Sequence, residues 1–415
     1  MRGSLLRDLR LLALLFVCAR VVLFLVAEPT ILDGQELGIG RIGDQRYYYE
    51  LAQFSERGWL PFRDWWSEFP PLWPWLTIIV VQVGGAELDY ARYALVMAAI
   101  MTAADLGNLW LLHSLAQRLY GAERATELTW LYALLPIPLI FTYWTFDAIV
   151  VFWLLLSLWL YIQGDALRAA GSILLGTLTK YLPMLWFFVF WRDRRPGAPA
   201  WRRIGWFVLL SLAFVYGALF AFGSEMTVAS LRAQWNKPAY QSIWALLEGR
   251  YTTGLFGPMP AHLAASASQS ATIPLIPAWL RWSAWALIAL GTLARREIRQ
   301  DRALIAACGY ILLTFYLAAQ GWSPQWLLPL LPLILLVFPT RAGILTLVAL
   351  SLLALADYPA LFARSGPIIS GSARLLFIAI VTLREGMLLA LCLAFYRQLR
   401  SWPIVHSSQP VAAIT

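Results

Sequence analysis

The sequence predicts an all-α, polytopic integral membrane protein with about twelve transmembrane helices. Hydrophobic residues make up 60% of the 415 residues, charged residues only 13%, and the mean hydropathy is +0.65. Soluble proteins carry roughly 25% charged residues, so an ordinary soluble domain is excluded. The basic residues form short clusters between apolar segments, as in cytoplasmic loops. Because these clusters explain the net charge of +9, we expect no nucleic-acid partner.

The first part of the chain predicts one span and a long outer loop. Arg2, Arg7 and Arg10 place the N-terminus in the cytoplasm, and no cleavable signal peptide is visible. A helix over residues 11–27 then leads to the outer face. Segment 70–84 is apolar, but it is short, tryptophan-rich and begins with prolines, so we expect it to lie in the interface or to dip in and return.

The positions of the arginine clusters define the other spans. These are residues 91–116, 125–143, 148–163, two short helices within 169–191 that break at Lys180 to Pro183, 204–222, 277–294, 303–319, 325–338, 341–356 and 373–396. Both termini are then cytoplasmic, and residues 1–415 form one integral domain. This topology gathers the polar segments on the outer face, namely Asp44, Asp147, Lys180, the 223–276 segment and the turn at 321–326.

The outer loop at residues 43–74 is the strongest functional signal, because it is charged, aromatic and longer than a connection requires. Asp44 opens an amphipathic stretch that Gly58 can end in a left-handed cap. Asp44 is either the cap of this interfacial helix or a general base held among tyrosines and tryptophans.

Other charged residues also have two interpretations. Asp64 and Glu68 either form a local salt-bridge network with Arg63 or belong to the site. Asp147 either caps its helix or binds a substrate. Lys180 either snorkels to the headgroups or grips a lipid phosphate.

Two further pairs inside the predicted spans are expected to be structural ion pairs: Arg20 with Asp105, and Arg384 with Glu385. His113, His262 and His406 share no metal-ligand spacing and are expected in solvated or helix-end positions. Cys18, Cys308 and Cys392 lie in apolar spans, so neither a disulfide framework nor a metal site is predicted.

Several motifs, in this order, resemble the superfamily C glycosyltransferases that use polyprenyl-phosphate sugars, and in particular the bacterial mannosyltransferases of that kind. They are Gly43-Asp44 before a tyrosine-rich helix, the segments 58–64 and 68–72, Phe146-Asp147, glycines 171 and 176 leading into 179–183, and Ser323-Pro324-Gln325-Trp326-Leu327 with Pro329. The resemblance covers about residues 10–340. The last two spans, within 341–415, match no motif of the family.

The resemblance implies inverting transfer of a sugar, with mannose as the first choice, from a polyprenyl-phosphate donor to a lipid or glycan acceptor. Asp44 would be the catalytic base, and the donor or substrate would contact Lys180, Asp147, Tyr181, Gln325, Glu68, Asp64, Arg63, Tyr240 and Gln241. No cofactor is implied. The chain lacks an Asp-Xaa-Asp pair at Asp44, which argues against metal dependence without excluding a divalent metal. The implied location is the bacterial plasma membrane, with the active site on the outer face.

Two other functions remain open at the level of sequence. A multispan transporter or lipid flippase has similar topology, although we find no internal symmetry between the two halves. A non-catalytic assembly subunit is the third alternative. Consumption of a lipid-phosphate sugar separates an enzyme from both.

Overall fold

The computed structural model describes residues 8–27, 30–32, 35–37, 44–84, 89–235, 237–254, 257–269 and 274–399. Within these ranges the protein is predominantly α-helical. The strands in them form one short antiparallel hairpin, in which β1 (Thr30–Leu32) pairs with β2 (Gln35–Leu37).

The first half of the bundle contains α1 (Leu9–Ala27), α2 (Asp44–Ala52), α3 (Leu72–Gly84), α4 (Tyr90–Tyr120), α5 (Ala122–Leu134), α6 (Pro136–Trp144), α7 (Asp147–Ile162), α8 (Ala166–Thr179), α9 (Met184–Trp191) and α10 (Trp201–Trp235). The second half contains α11 (Ile243–Leu247), α12 (Ala278–Trp285), α13 (Gly291–Ala294), α14 (Asp301–Ala318), α15 (Leu330–Val337), α16 (Arg341–Leu355), α17 (Phe362–Ser365) and α18 (Ala373–Gln398). Short π-helical segments join α12 to α13 and α16 to α17.

The helices confirm a membrane protein, but their lengths do not confirm twelve spans. Six described helices are long and apolar enough to cross a bilayer, or up to seven if α5 and α6, bent by 56°, count as one span. Other predicted spans are shorter; α7 has 16 residues and α8 has 14. At 1.5 Å per residue they fall short of the roughly 30 Å hydrocarbon core. The sequence count relied on the positions of arginines rather than on helix length.

The predicted cytoplasmic turns meet at one end of the bundle. Arg118, at the end of α4, pairs with Asp301 at the start of α14, with 2.6 Å between Nε and Oδ2. Arg195 binds the same carboxylate. Arg302 donates to the Val337 carbonyl at 2.6 Å, and Arg192 donates to the Ala294 carbonyl at 2.6 Å. The clusters that were assigned to one side of the membrane are therefore neighbours in space.

Both ends of α3 contact the segment from Asp44 to Arg57. Trp73 at its start packs against Tyr48 with ring centroids 5.1 Å apart. Near its end, Gln82 donates to the Ser55 hydroxyl at 2.9 Å. Helix α3 therefore runs beside the outer-loop segment from Asp44 to Arg57 instead of leading away from it.

Local predictions in the first loop and at the broken helix are confirmed. Gly58 ends the turn at Gln53–Arg57 with φ of 74°, and its amide donates to the Phe54 and Ser55 carbonyls. Helix α8 ends at Thr179 and α9 begins at Met184, so the break lies at Lys180 to Pro183. Proline at the break and an αL glycine cap account for these boundaries.

A second break, in α10 at Gly223, brings the first loop against that helix. A Cβ atom at Gly223 would lie 2.1 Å from the Phe62 carbonyl oxygen. Only glycine permits so close an approach between two backbones.

The core is a large apolar cluster that extends from Leu12 to Leu399, with two smaller clusters around Phe377 and Trp66. Within it, the predicted pair of Arg20 and Asp105 is confirmed, with Nε and Oδ2 2.7 Å apart and both residues at most 1% exposed. Arg384 does contact Glu385, at 3.2 Å, but it also pairs with Asp357 at 3.1 Å.

Candidate active site

A cavity of about 510 Å³ opens where many loop and helix ends converge. It receives the start of α2, the loop before α3, the start of α7, the break between α8 and α9, the segment after α10 and the turn at 321–326. The polar segments that the topology assigned to one face therefore line one cavity. Their charged members are Asp44, Glu68, Asp147, Lys180 and Lys237.

Asp44 is the first residue of α2 and is partly buried at the cavity wall. Its Oδ2 accepts a long hydrogen bond, 3.5 Å, from the Tyr48 hydroxyl one helical turn later. Burial raises the pKa of Asp44 to about 7, and the negative charges of Asp147 and Glu68 add to the rise against the two lysines. A carboxylate with a pKa near neutrality is suited to accept a proton.

Lys180 and Asp147 form an ion pair across the break in the helix. Lys180 Nζ lies 2.7 Å from Asp147 Oδ1, and Asp147 is 2% exposed. The ammonium also lies 5.2 Å from the centroid of the Phe146 ring, a cation–π contact. The Asp147 side chain therefore binds this lysine, and no side-chain hydrogen bond caps the described start of α7.

Glu68 forms the second ion pair of the cavity, with a lysine that the sequence reasoning missed. Lys237 Nζ lies 2.5 Å from Glu68 Oε2, and Gln234 donates to the Glu68 carbonyl. Burial lowers the pKa of Lys237, but the negative groups around it, Glu68 first, outweigh burial and leave that pKa above its ordinary value. Glu68 therefore pairs at long range and not with Arg63.

Arg63 and Asp64 do not line the cavity. They form a local ion pair, with 2.7 Å between Arg63 Nη2 and Asp64 Oδ2, and Asp64 also accepts from the Leu60 amide at 2.7 Å. The hydrogen bond from Arg63 lowers the pKa of Asp64. The local salt-bridge interpretation is confirmed for these two residues, and the structure gives them no place in the cavity wall.

The remaining predicted site residues all line the cavity, although some of their polar groups are already used. The Tyr181 hydroxyl lies 2.8 Å from that of Tyr216. The Gln241 amide donates to Asp357 at 2.8 Å and accepts from the Gly254 amide at 3.4 Å. The side chain of Gln241 therefore holds the wall together.

Tyr240 and Gln325 form the neighbouring part of the wall. The Tyr240 ring packs on Gly321, where a Cβ atom would lie 2.2 Å from the ring. Burial raises the pKa of Tyr240, so its hydroxyl stays protonated. Gln325 lines the cavity from the short turn at Pro324–Leu327.

The scarcity of lysine in the composition could have pointed to Lys237. The chain contains only two lysines, Lys180 and Lys237, and every other basic side chain except histidine is arginine. Both lysines line the cavity and both pair with buried carboxylates. Arginine is the basic residue of all the predicted cytoplasmic turns, so the two positions that carry lysine instead were a sequence signal for this cavity.

The last spans contribute to the cavity, although they lie outside the family resemblance. Tyr358, Phe362 and Pro367 line it. Arg384 donates to the Gln241 carbonyl, and backbone hydrogen bonds join residues 251–253 to residues 367–369. Sequence reasoning missed these contacts because they join segments more than a hundred residues apart.

His262 is wholly buried rather than solvated, and it lies in the last turn of a short 3₁₀ helix, Met259–Leu263, as one of the two expectations had it. Its Nε2 contacts the Tyr47 hydroxyl, and its Nδ1 lies 2.7 Å from the Trp66 carbonyl. Burial lowers the pKa of His262, so a neutral ring fits this position. This histidine fastens the 257–269 segment to the first outer loop.

No group of three or more histidine, cysteine, aspartate or glutamate side chains within the described ranges is arranged to hold a metal ion. In the cavity, two of the carboxylates already bind lysines.

Comparison with known proteins does not identify this chain: no family model and no curated protein matches the sequence. The resemblance to the glycosyltransferases therefore rests on the sequence motifs alone.

Proposed function

We propose that this protein is a membrane glycosyltransferase that moves a sugar, with mannose as the first choice, from a polyprenyl-phosphate donor to a hydroxyl of a lipid or glycan acceptor. The observation that carries the proposal is Asp44. Its carboxylate lies in a cavity with two lysines, yet both lysines pair with other carboxylates. It also has a pKa of about 7, so it can hold or release a proton at neutral pH.

In the proposed reaction, Asp44 accepts the proton of the acceptor hydroxyl. The acceptor oxygen then forms a bond to the anomeric carbon from the face opposite the phosphate. The bond between that carbon and the phosphate oxygen breaks, and its electron pair leaves with the polyprenyl phosphate. The product has the inverted anomeric configuration.

The leaving phosphate gains negative charge, so a positive group near it lowers the barrier. Lys180 is the proposed contact, since it lies at a helix break where the cavity meets the apolar bundle. A phosphate oxygen would share its ammonium with Asp147. Tyr181, Tyr240, Gln325 and the second lysine, Lys237, complete the polar wall around the sugar and acceptor.

We also propose twelve spans with both termini in the cytoplasm and the cavity on the outer face of a bacterial plasma membrane. The meeting of the arginine clusters at one end of the bundle and of the cavity segments in one place supports this topology. Glu56→Cys should react with an impermeant thiol reagent added to intact cells, and Glu297→Cys should react only after lysis. The opposite pattern would reverse the orientation.

The function is tested with purified protein in lipid vesicles, labelled polyprenyl-phosphate mannose and a lipid or glycan extract. We expect wild-type protein to consume the donor and release polyprenyl phosphate. Asp44→Asn keeps the size of the side chain and should lower turnover about 10²- to 10⁴-fold, the usual contribution of a positioned base. Glu50→Gln is the matched control, because Glu50 lies on the same helix and pairs with Arg46 outside the cavity.

The outcomes separate the candidate functions. Movement of the labelled lipid between leaflets without its consumption would identify a flippase and overturn the enzyme proposal. An Asp44→Asn variant as active as Glu50→Gln would show that another group is the base.

A further inference from the structure

Tyr316 lines the cavity and takes no part in the proposed transfer step. It lies near the end of α14 and is 3% exposed. Among the described residues, none makes a hydrogen bond with its hydroxyl. Unpartnered buried hydroxyls are uncommon, because burial removes their bonds to water without replacement.

The ring of Tyr316 is held in place by aromatic neighbours. Trp326 is stacked on it with centroids 5.4 Å apart, and Trp322 meets it edge-on at 5.3 Å. These contacts fix the direction of the hydroxyl. Tyr316 lines the same cavity as the Lys180–Asp147 ion pair, to which the proposed function assigns the donor phosphate.

The Thr253 hydroxyl shows the same property on another part of the wall. It is buried, lines the cavity and has no hydrogen-bond partner among the described residues. Two neutral hydroxyl groups without partners in one cavity favour a ligand rich in neutral hydroxyls. A sugar ring has this chemistry, whereas a phosphate is better matched by the lysines.

We propose that Tyr316 is a sugar-binding residue whose hydroxyl exchanges a hydrogen bond with one hydroxyl of the transferred sugar. This inference rests on the proposed function, since it assumes that a polyprenyl-phosphate sugar occupies the cavity. It assigns recognition of the sugar to α14 and recognition of the phosphate to the helix break at Lys180. Tyr316 thus determines specificity and does not take part in proton transfer.

Tyr316→Phe removes only the hydroxyl and keeps the aromatic packing. With polyprenyl-phosphate mannose as donor, we expect kcat/KM to fall about 3- to 10-fold, as for loss of one neutral hydrogen bond. Without substrate, the variant should unfold at the same or a higher temperature, because a buried group without a partner has been removed. A purely structural role for the hydroxyl would instead lower the unfolding temperature.

Donors that lack one hydroxyl of the mannose at a time complete the test. For one of them, the wild-type rate should fall to that of Tyr316→Phe, and the variant should show no further loss. Tyr310→Phe is the control, since Tyr310 lies on the same helix, outside the cavity, and bonds to Thr292 at 3.1 Å. Its kinetics should match wild type.

Failure of this inference differs from failure of the proposed function. If wild-type protein consumes no donor, the proposed function fails. If wild-type protein is active and Tyr316→Phe is equally active, or loses the same factor with every deoxy donor, Tyr316 does not bind a sugar hydroxyl.

Discussion

Two buried polar clusters in this protein differ in how completely their charges are matched. In the bundle, Asp105 accepts from Arg20 at 2.7 Å, from Tyr132 at 2.8 Å and from Thr142 at 3.2 Å. In the cavity, three carboxylates face two lysines, and Asp44 has, among the described residues, only the long hydrogen bond from Tyr48. The first cluster is closed, and the second has one carboxylate left over.

This difference gives a criterion for distinguishing buried charged groups that stabilise the fold from those that can react. A buried charge is tolerated when partners replace its water, and such a group then serves the fold. A carboxylate that is enclosed without a cation has a raised pKa and can exchange its proton near neutral pH. By this criterion Asp105 is structural, and Asp44 is the reactive group that we propose.

The closed cluster gives the largest expected effect on stability. Asp105→Ala leaves the Arg20 guanidinium buried without its partner, which typically costs about 3–5 kcal/mol. We expect little folded protein in detergent, measured by size-exclusion chromatography and thermal unfolding. The double variant Arg20→Met with Asp105→Leu should recover folded protein, because it removes both charges. If the double variant does not recover folded protein, the ion pair stabilises the fold by more than the neutralisation of its two buried charges.

Lys180 tests whether the paired lysines of the cavity also bind ligand. If its ammonium contacts the donor phosphate, Lys180→Ala should weaken donor affinity about 10- to 100-fold, as for loss of a charged hydrogen bond. Lys180→Arg should restore part of this affinity because it keeps the charge. The measurement is the KM for polyprenyl-phosphate mannose. An unchanged KM in Lys180→Ala would show that Lys180 pairs with Asp147 and does not contact the donor.

The pH profile sharpens the contrast further. The base form of Asp44 is its ionised form, so the transfer rate should fall about tenfold per unit as the pH drops below the pKa of about 7. Glu68 raises that pKa, and Glu68→Gln should therefore move the acidic limb of the kcat/KM profile to lower pH. A limb that stays in place would show that Asp44 is not the titrating group.

The exposed pair of Arg63 and Asp64 should give the smallest effect. Because surface ion pairs contribute about 0–1 kcal/mol, Asp64→Asn should change the unfolding free energy by no more than that. We expect donor turnover within about twofold of wild type, since a surface substitution outside the cavity removes no substrate contact. If Asp64→Asn folds normally but loses turnover, Asp64 does belong to the active site.

The sequence by itself determined the features that depend on local chemistry. Low charge and arginine clusters predicted the membrane fold, Gly58 predicted a left-handed cap, and Pro183 predicted the broken helix. The positive-inside rule assigned Asp44, Asp147 and Lys180 to one side of the membrane from loop charges alone, and the three residues line one cavity. The number of spans could not be predicted in the same way. A helix as short as α8 has too few apolar residues for hydropathy to show whether it crosses the membrane.

The tertiary structure decided which charges meet. Arg63 binds its neighbour Asp64, but Glu68 binds Lys237, which is 169 residues away. The same holds for Lys180 with Asp147 and for the bond from Arg384 to Gln241. Ion pairs form between groups a few ångströms apart in space. The spacing of two residues in the sequence predicts such a contact only when both lie in the same turn or helix. The state of Asp44 is therefore a property of the folded cavity: it follows from burial and from two lysines that are already paired with other carboxylates.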